Sequence, residues 1–312
     1  MPLQTMRAAA IDRRGRVSIR DVPVPAVGRR EVRIAVDTAG VGSWDADTRP
    51  EGSDRFIVPG TDGAGLVVAV GAGVRRFRPG ERVYSYSYGN PKGGFHAQLV
   101  TVVANKVARV PRSIGLKEAG AIATTGLTAL QGVDDALRVK RGERVIVHGA
   151  SGAVGALALQ FAKWRGARIL ATASGKDGVR LARRLGADVA VDGKREDVRA
   201  AARRFAPAGV DAVLAFVGGK SLGRCLDAVK PRGGRLAYPN GVEPVPRKRR
   251  AVKVVAYDAV PGVREFERLN RAIVAAKLKV PIAKTYPMEH AGDAYRFVRR
   301  GHVLGKVVLR IR

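Results

Sequence analysis

The sequence predicts an α/β protein in which a doubly wound parallel sheet is joined to a mostly antiparallel β domain. Over residues 119–261, apolar strand-like runs alternate with amphipathic helical stretches, a pattern typical of βαβ units. Over residues 1–118, the chain is rich in Gly, Pro and Val, and turn signals separate short β-like runs. Residues 262–312 resemble the first region more than the second. We therefore expect the chain to return and complete the first domain.

The hydrophobic pattern also places individual elements of both domains. In the first domain, β-like runs are expected at 31–36, 65–70 and 81–86, and a final run is expected at 305–311. In the second domain, strands are expected at 144–148, 168–173, 189–191, 211–216, 235–238 and 252–257. Helices are expected at 116–129, 153–165, 178–185 and 263–277.

The chain is strongly basic. Its 312 residues include 57 Lys and Arg against 27 Asp and Glu, which gives a net charge of +30. A field of this size attracts polyanions such as nucleic acid. The cations are spread along the whole chain, however, and the densest run covers only residues 247–250. An Arg-rich solvated surface is the favoured explanation, and a nucleic-acid partner stays open as the weaker alternative.

Cysteine usage and hydropathy exclude other classes. Cys225 is the single cysteine, so neither an internal disulfide nor a multi-cysteine zinc site can form. It lies in a helical stretch and is expected to be a packed, inert thiol. No apolar run approaches the ~18 residues that span a bilayer, and the first residues lack the apolar core of a secretion signal. We therefore expect a soluble cytoplasmic protein without a membrane partner.

A glycine-rich turn at residues 148–155 is the strongest functional motif. Residues 144–155 read RVIVHGASGAVG, so a predicted strand enters the turn and a predicted helix leaves it. The spacing Ala150-x-Gly152-x-x-Gly155 lets backbone N–H groups approach a pyrophosphate at the helix N-terminus, and Gly155 permits close packing of helix and strand. This context predicts a dinucleotide-binding site.

The end of the second strand indicates which dinucleotide is bound. NAD enzymes place an acidic residue there to bind the ribose 2′-hydroxyl. The corresponding residue is the neutral Ser174, and Lys176 and Arg180 follow it. A hydroxyl group and cationic donors suit a 2′-phosphate, so the pattern favours NADP(H) over NAD(H). Asp177 could bind a 2′-hydroxyl, but it lies beyond the expected position.

Taken with the domain order, short motifs along essentially the whole chain resemble the medium-chain dehydrogenase/reductase superfamily. These motifs are AGVGSWD at 39–45, PGTDGAG at 59–65, PGERV at 79–83, TGLTA at 125–129, LGAD at 185–188 and GHVLGKVV at 301–308. The most similar branch is the zinc-independent quinone oxidoreductases of the zeta-crystallin type. The resemblance implies a GroES-like first domain, a Rossmann-type second domain, and a homodimer in which 252–257 could be the pairing edge strand.

The side chains that bind zinc in zinc-dependent members of that superfamily are absent. Ser43 stands where those relatives have a cysteine, and Gly60-Thr61-Asp62 stands where they have Gly-His-Glu. We therefore expect no metal ion, so hydrogen bonds alone would stabilise charge on a substrate oxygen. The four histidines are isolated and show no ligand spacing: His96, His148, His290 and His302.

The resemblance also implies a set of cofactor contacts. The turn would hold the pyrophosphate, the end of the second strand would hold the adenosine phosphate, and the end of the fifth strand would line the cofactor groove. The expected cofactor-binding residues are Ser43, Trp44, Thr128, Ser151, Gly152, Ala153, Val154, Gly155, Ser174, Gly175, Lys176, Tyr238, Asn240, Gly305 and Lys306.

Four residues are candidates for catalysis: Ser43, Asp45, Tyr84 and Tyr86. The first two lie where zinc relatives place a metal ligand and part of a proton relay, although a turn-capping role would explain them as well. The two tyrosines alternate with Tyr88 at strand spacing, and together with Asn90 and Phe95 they could line a substrate pocket. An aromatic face packed inside the β domain is an equally good explanation. His148 is expected to be structural.

Three functions remain open. The leading hypothesis is an NADPH-dependent enzyme that transfers hydride to a quinone or an α,β-unsaturated carbonyl. The second is reduction of an enoyl thioester, or oxidoreduction of an alcohol–carbonyl pair, on the same scaffold. The third is a protein that binds RNA or another polyanion and has secondary reductase activity. Aromatic residues make up only 5% of the chain, and no base-stacking platform is visible, which disfavours the third.

Overall fold

The computed structural model describes residues 4–52, 54–246 and 252–312 and divides the chain into two compact units. The first unit contains the chain up to Thr124, Pro261–Asn270 and Ile282–Arg312, and the second contains Thr125–Val260 and Arg271–Pro281. The first boundary follows Thr124, inside helix α2 (Leu116–Gln131), whereas the sequence predicted it after residue 118 of the same helix. The basic run 247–250 lies outside the described residues.

The first unit is built from two sheets. The smaller sheet has three antiparallel strands in the order β2-β1-β4. The larger sheet has the order β15-β16-β3-β5-β6-β8, with β7 also paired to β3, and all of its pairs except β15–β16 are antiparallel. The strands are β1 (Thr5–Asp12), β2 (Val17–Pro23), β3 (Glu31–Val41), β4 (Phe56–Ile57), β5 (Asp62–Val70), β6 (Arg82–Tyr86), β7 (Leu99–Val103), β8 (Val107–Arg109), β15 (Ile282–Pro287) and β16 (Lys306–Arg310).

Two short helices lie entirely within the first unit, α1 (Ser43–Asp47) and α8 (Ala291–Arg299), and 3-10 turns are formed at Ala104–Lys106 and Met288–His290. The last strand, β16, pairs with β3, so the end of the chain lies in the first unit, where the sequence also placed it. Buried Val, Ile and Ala side chains from alternate positions of β3 pack on α8 and β16 and form the core. The expected antiparallel β domain is confirmed.

The second unit contains one parallel sheet of six strands in the order β11-β10-β9-β12-β13-β14. The chain starts at β9 in the middle of the sheet and adds β10 and β11 on one side. It then returns and adds β12, β13 and β14 on the other side, so the order of strands reverses between β9 and β12. Ligands of such sheets bind outside the carboxyl ends of the strands at this point. The strands are β9 (Arg144–His148), β10 (Arg168–Ala173), β11 (Val189–Asp192), β12 (Ala212–Ala215), β13 (Gly234–Pro239) and β14 (Val252–Tyr257). The doubly wound parallel sheet is therefore confirmed.

Helices connect these strands. They are α3 (Ala153–Trp164), α4 (Gly175–Arg184), α5 (Val198–Phe205) and α6 (Lys220–Leu226). A π-helical turn at Gly132–Ala136 follows α2, and α7 (Val263–Ala275) follows β14 and contains the unit boundary after Asn270. The helix expected at 178–185 begins earlier, at Gly175, because Ser174 takes the extended N-cap conformation. In the described ranges, no helix combines the length and apolar character needed to cross a membrane.

Candidate functional site

The glycine turn (residues 149–155) connects β9 to α3 at the carboxyl edge of the parallel sheet. The N–H groups of Gly149 and Ala150 both donate to the carbonyl of Thr172, at 3.1 and 2.9 Å, which ties the turn to β10. Gly149 has a φ of +83°, a left-handed conformation that glycine adopts without strain. The turn is therefore held by backbone hydrogen bonds rather than by side chains.

The two glycines that follow serve different purposes. A Cβ on Gly155 would lie 2.2 Å from the carbonyl oxygen of Gly149, so only glycine lets α3 pack this closely on the turn. A Cβ on Gly152 would meet only that same oxygen, at an ordinary 3.5 Å. Protein packing therefore does not require glycine at 152. Gly152 is the N-cap of α3 and no side chain caps the helix, so the N–H groups of Ala153 and Val154 at its start can bind an anion.

The end of β10 leads to a second helix, α4. Ser174 is the N-cap of α4, and no side-chain hydrogen bond caps this helix from the N-cap position. Lys176 and Arg180 are exposed. These features agree with an anion-binding role for Ser174, Gly175 and Lys176, which stays a prediction.

Sequence reasoning missed Asp192, which lies at the end of the neighbouring strand β11. The carboxylate is buried and accepts hydrogen bonds from the N–H groups of Gly175, at 3.1 Å, and Lys194, at 3.0 Å. It therefore places a negative charge beside the start of α4, which opposes binding of a 2′-phosphate there. The side chains of Lys176 and Lys194 are exposed and supply the opposite charge. Register in a parallel sheet could have revealed Asp192, because Ala173 at the end of β10 pairs with it.

His148, the last residue of β9, takes part in a buried polar cluster. Its Nδ1 lies 2.5 Å from the Thr172 hydroxyl oxygen, and its Nε2 lies 3.2 Å from the Ser221 hydroxyl oxygen. Burial lowers the pKa of His148 to about 4 and raises the pKa of the neighbouring Cys225 thiol to about 12. A neutral imidazole and a protonated thiol at pH 7 fit the structural roles expected for both.

The other predicted contacts of the second unit lie on α2 and at the carboxyl end of β13. Thr128 is buried, and its carbonyl accepts a 2.9 Å hydrogen bond from the Tyr257 hydroxyl. Tyr238 is buried near the end of β13. Asn240 is exposed, and its amide donates to the Asp258 carboxylate at 2.7 Å. Thr128 and Asn240 thus already bind neighbouring groups of the chain.

In the first unit, Gly42, Trp44, Asp45 and Thr61 form what we call the Asp45 cluster. The Asp45 carboxylate accepts one hydrogen bond from the Gly42 N–H, at 2.7 Å, and one from the Thr61 hydroxyl, at 2.8 Å. The Trp44 indole N–H donates to the same hydroxyl oxygen, also at 2.7 Å. Asp45 is only 2% exposed. This geometry fits the capping role that the sequence left open for Asp45, while Ser43, at the start of α1, stays exposed.

A buried ion pair lies beside this cluster. The Lys306 ammonium is 3.7 Å from Oδ1 of Asp62 and 5.3 Å from the centre of the Trp44 ring, and the lysine is only 3% exposed. Oδ2 of Asp62 accepts the N–H of Thr124 at 3.0 Å, and no hydrogen bond to Oδ1 is found within the described chain. A Cβ on Gly40 would lie 2.4 Å from Oδ1, so glycine at this position makes the close approach possible. The lysine proposed as a cofactor contact is thus a buried cation.

His96 is held next to these groups by two hydrogen bonds. Its Nε2 lies 3.0 Å from the carbonyl oxygen of Gly40, which can only accept, so Nε2 carries the proton. Nδ1 therefore accepts from the Tyr295 hydroxyl at 2.5 Å. Burial lowers the pKa of His96 and raises that of Tyr295 well above its usual range. A neutral imidazole saturated in this way is structural.

The structure corrects the idea that Tyr84, Tyr86 and Tyr88 line one pocket. Tyr84 has no exposed surface, its ring packs against Phe266, and its hydroxyl donates to Asn270 at 2.6 Å. It is a core residue, as the alternative explanation held, and cannot touch a substrate. Tyr88 lies beyond the end of β6 and is 69% exposed, while Tyr86 is half-buried at the strand end.

Two further residues of the expected pocket are internal to the fold. Phe95 is fully buried against Gly63, where a Cβ would approach its ring to 2.6 Å. The Asn90 amide donates to the carbonyls of Gly93 and Thr101 at 2.8 and 3.0 Å. Ser43 and Tyr86 are therefore the catalytic candidates that the structure leaves accessible.

Over the described ranges, no group of three or more His, Cys, Asp or Glu side chains is arranged to hold a metal ion.

Two family models match the chain. One, described as an alcohol dehydrogenase GroES-like domain, matches residues 28–112, and the other, described as a zinc-binding dehydrogenase, matches residues 185–309. A probable quinone oxidoreductase of Schizosaccharomyces pombe is 32% identical over 267 residues, which cover 81% of this chain and 79% of the relative.

Solved structures also superpose on nearly the whole chain. An NAD-dependent alcohol dehydrogenase superposes with a TM-score of 0.89 at 30% identity, covering 98% of this chain and all of the other. A mycobacterial protein in complex with NADPH superposes with a TM-score of 0.86 at 28% identity, again covering 98% of this chain and all of the other. Similar proteins therefore include both an NAD-dependent enzyme and one that binds NADPH.

Proposed function

Since the chain belongs to the medium-chain dehydrogenase/reductase superfamily, in its quinone oxidoreductase branch, we propose that it is an NADPH-dependent reductase of quinones or α,β-unsaturated carbonyls. The observation that carries this proposal is the uncapped start of α3, where Gly152 leaves open space beside the first backbone N–H groups. Membership of the superfamily makes the chain an oxidoreductase.

The residues of the glycine turn fit a dinucleotide. The N–H groups of Ala153 and Val154 would bind the pyrophosphate, and the positive end of the α3 dipole would favour its charge. Gly152 would let the phosphates reach the backbone, while Gly155 keeps α3 against the turn. Ser151, which is buried next to Gly178 at the start of α4, would support the turn rather than expose its hydroxyl.

The preference for NADPH depends on charge at the start of α4. The Ser174 hydroxyl would bind the 2′-phosphate and Lys176 would neutralise part of its charge, while the Gly175 N–H already donates to Asp192. Asp192 works against this choice, but its carboxylate already accepts two backbone N–H groups, which offset much of its negative potential. Lys194 adds a further cation on the same loop. The Ser174 hydroxyl and two lysine ammonium groups, against one carboxylate that already accepts two backbone N–H groups, favour the phosphorylated cofactor.

Bound NADPH would supply a hydride to an electrophilic carbon of the acceptor. The chain's part is to orient the acceptor and stabilise charge that develops on its oxygen. We propose that the exposed Ser43 hydroxyl donates to this oxygen and that Tyr86 is a second candidate donor. Trp44, Tyr238 and Asn240 would contact the cofactor, and the buried Lys306 ammonium would add positive potential near Trp44. Solvent can complete protonation of the product.

This chemistry is proposed to need no zinc. The two side chains that stand at the zinc-binding positions are Ser43 and Thr61, and hydroxyl groups are not among the donors that zinc prefers in proteins. The Thr61 hydroxyl in addition accepts from Trp44 and donates its proton to Asp45.

A second candidate activity is oxidoreduction of an alcohol–carbonyl pair. The similarity to an NAD-dependent alcohol dehydrogenase over nearly the whole chain favours it. In that case the acidic group beside α4, Asp192, would dominate the cofactor choice and NADH would be preferred.

We further propose a homodimer that forms through β14. This strand ends the six-stranded sheet and pairs only with β13 among the described strands, so its other edge can pair with a second copy. Sedimentation velocity would test this. A monomer at micromolar concentration would contradict it.

A substrate screen with both cofactors tests the activity. Oxidation of NADPH is followed by absorbance with quinones, enones, enoyl thioesters and aldehydes as acceptors, with NADH as the matched control and EDTA-treated enzyme in parallel. We expect turnover with quinones or enones, at least about tenfold faster with NADPH, and unchanged by EDTA. Equal rates with NADH would reject the cofactor proposal, and activity confined to aldehydes would support the alcohol–carbonyl alternative.

A further inference from the structure

The second unit has a small pocket that the proposed function does not use. Its volume is about 330 Å³. It is formed by three separate segments of the chain, whose lining residues are 135–138 with Lys140, Arg235, and Lys253 with Val255. A cavity of this size is at the lower end of the range of about 300–1,000 Å³ found for small-molecule sites.

The pocket lies at the edge of the sheet opposite to the glycine turn. Arg235 and Lys253 are each the second residue of their strands, β13 and β14, and they pair directly in the parallel register. They therefore mark the amino ends of these strands. The glycine turn follows the carboxyl end of β9, which runs in the same direction. An occupant of the pocket would not compete with a dinucleotide at the turn.

The charge of the lining is positive. Arg138, Lys140, Arg235 and Lys253 stand against Asp135 in the lining and Glu143, the ion-pair partner of Arg235, so the formal charge is 4 − 2 = +2. Like charges collected in one place repel each other, and the cost is recovered when an anion binds between them.

These cations also have unused hydrogen-bonding capacity. Across the described residues, no carboxylate pairs with the side chains of Arg138, Lys140 or Lys253, and all three are exposed. Arg235 pairs with Glu143 at 2.7 Å through one terminal nitrogen, but its Nε is buried without a hydrogen-bond partner. The pocket thus offers several ionised donors, which form the strongest hydrogen bonds with anionic acceptors.

The backbone that carries Arg138 is strained. Its φ is +54°, a left-handed conformation that residues with a Cβ rarely adopt. Such conformations persist where the surrounding structure holds them, and they concentrate at binding sites. Here the strained residue contributes one of the four cations.

We propose that this pocket is a second anion site, which binds a compact, multiply charged ligand of the phosphate-ester or diphosphate class. The volume of about 330 Å³ is enough for a ligand about the size of a sugar phosphate. Such a ligand would stabilise the second unit by binding only the folded state, where these segments are brought together.

Isothermal titration calorimetry of the full chain with inorganic pyrophosphate, at constant ionic strength, tests the proposal. The variant R138N/K253Q removes two pocket cations, and asparagine tolerates the left-handed backbone. The control R203Q/R204Q removes two exposed cations from α5, on the same unit and outside the pocket. Thermal unfolding of both variants shows whether they fold.

Pyrophosphate also resembles the dinucleotide that the glycine turn is proposed to bind, so each titration is repeated with saturating NADP+. We expect Kd for pyrophosphate to rise at least about tenfold in R138N/K253Q and less than twofold in R203Q/R204Q, with or without NADP+. If both variants weakened pyrophosphate binding equally, the binding would be due to the general positive field of a chain with a net charge of +30, and the proposal would be overturned. Loss of all pyrophosphate binding when NADP+ is present would place the anion at the turn and also overturn it. Failure of NADP+ to bind would contradict the proposed function and leave the variant comparison valid.

Discussion

The glycine turn of the second unit and the Asp45 cluster of the first unit use their polar groups in opposite ways. In the Asp45 cluster, both carboxylate oxygens and the Thr61 hydroxyl are engaged by neighbouring groups of the chain. In the glycine turn, no side chain caps α3, and Gly152 keeps space open beside its first N–H groups. Hydrogen bonds completed internally stabilise the fold, whereas donors without a partner favour a ligand.

This contrast changes the role of Asp45. Its position in the sequence allowed either a proton relay or a turn cap. A carboxylate that is nearly inaccessible and accepts two hydrogen bonds fits the cap, and it fixes Thr61 and Trp44 at the same time. Binding chemistry in the first unit is therefore expected from Ser43, which the cluster positions and leaves exposed.

The largest effect is expected from Gly155→Ala. The new Cβ would meet the carbonyl oxygen of Gly149 at 2.2 Å, and because that atom belongs to the backbone, the turn itself must move. We expect the free energy of unfolding to fall by about 3 kcal/mol and NADPH binding to be lost. Urea unfolding and fluorescence titration measure both. Gly223→Ala in α6 is the control, because its Cβ would have open space and it should be neutral or stabilising.

Replacement of Asp45 tests whether the hydrogen bonds of the Asp45 cluster stabilise the fold. Asp45→Ala leaves the Gly42 N–H and the Thr61 hydroxyl without their acceptor in a buried place, so we expect a loss of about 3 kcal/mol in the free energy of unfolding. NADPH should still bind, with an affinity that falls less than in Gly155→Ala, because Asp45 acts on the cofactor only through Thr61 and Trp44. Asp45→Asn keeps the shape and one acceptor and should recover part of the stability. Turnover abolished in Asp45→Asn without a change in stability would show that Asp45 acts in catalysis.

The buried histidine of the second unit makes stability depend on pH. The pKa of His148 is lowered to about 4 in the folded protein and is about 6.5 in the unfolded chain, so the unfolded state binds the proton first as the pH falls. This residue contributes full stability above pH 6.5, and the contribution is lost between pH 6.5 and 4. Between pH 7 and 5, we expect a loss of about 2 kcal/mol. Urea unfolding of His148→Gln should show a correspondingly flatter pH profile; an unchanged profile would contradict the assignment.

Gly152→Ala should separate binding from stability at the glycine turn. Its Cβ makes only an ordinary 3.5 Å contact within the protein, so the free energy of unfolding should stay within about 0.5 kcal/mol. The methyl group would nevertheless stand where a phosphate approaches the backbone, and we expect Kd for NADPH to rise about tenfold. A fluorescence titration of the variant with NADPH measures this Kd. Unchanged affinity would mean that the space beside Gly152 is not the phosphate site.

The smallest effect concerns the choice between the two cofactors. Lys176→Ala should weaken NADPH binding about threefold to tenfold and leave NADH unaffected, because only the former carries the 2′-phosphate. Asp192→Asn should have the opposite sign, with NADPH affinity rising a few-fold as a repulsive charge is removed. Parallel titrations of both variants with both cofactors provide the measurement. A loss of NADH affinity in Asp192→Asn would instead assign this carboxylate to the ribose 2′-hydroxyl.

Much of the fold could be predicted because local pattern and tertiary role agree. The strands of the parallel sheet were placed to within a few residues, since buried parallel strands are apolar along their whole length. Strands β1, β2, β4, β7, β8 and β15 were not assigned. In β2 and β15 few residues are buried, so hydrophobic and polar residues mix along the strand, and β4 and β8 are only two and three residues long. The helices α5 and α6 were not assigned either. They span only eight and seven residues, although the buried residues of α5 recur at helical spacing.

Among the candidate site residues, too, those in a local motif could be predicted, and those that depend on distant parts of the chain could not. Gly152 and Gly155 could be found because a turn between a strand and a helix is a local feature. Tyr84 was misjudged because strand alternation shows which side chains share a face but not what covers that face. Asp192 was missed because its neighbour Gly175 is on another strand–helix segment, and only the sheet register brings them together.

By itself, the amino-acid sequence determined the two-domain α/β class, the glycine turn and the absence of zinc-type ligands at the two motif positions, since each depends on residue types at short spacing. Only the tertiary structure decided that Asp45 is saturated, that Lys306 is a buried partner of Asp62, and that Asp192 faces the start of α4. It also gathered four cations from separate segments into one pocket. The physical reason is the same in each case: charge and hydrogen bonding depend on distances between residues far apart in the chain, which the fold alone sets.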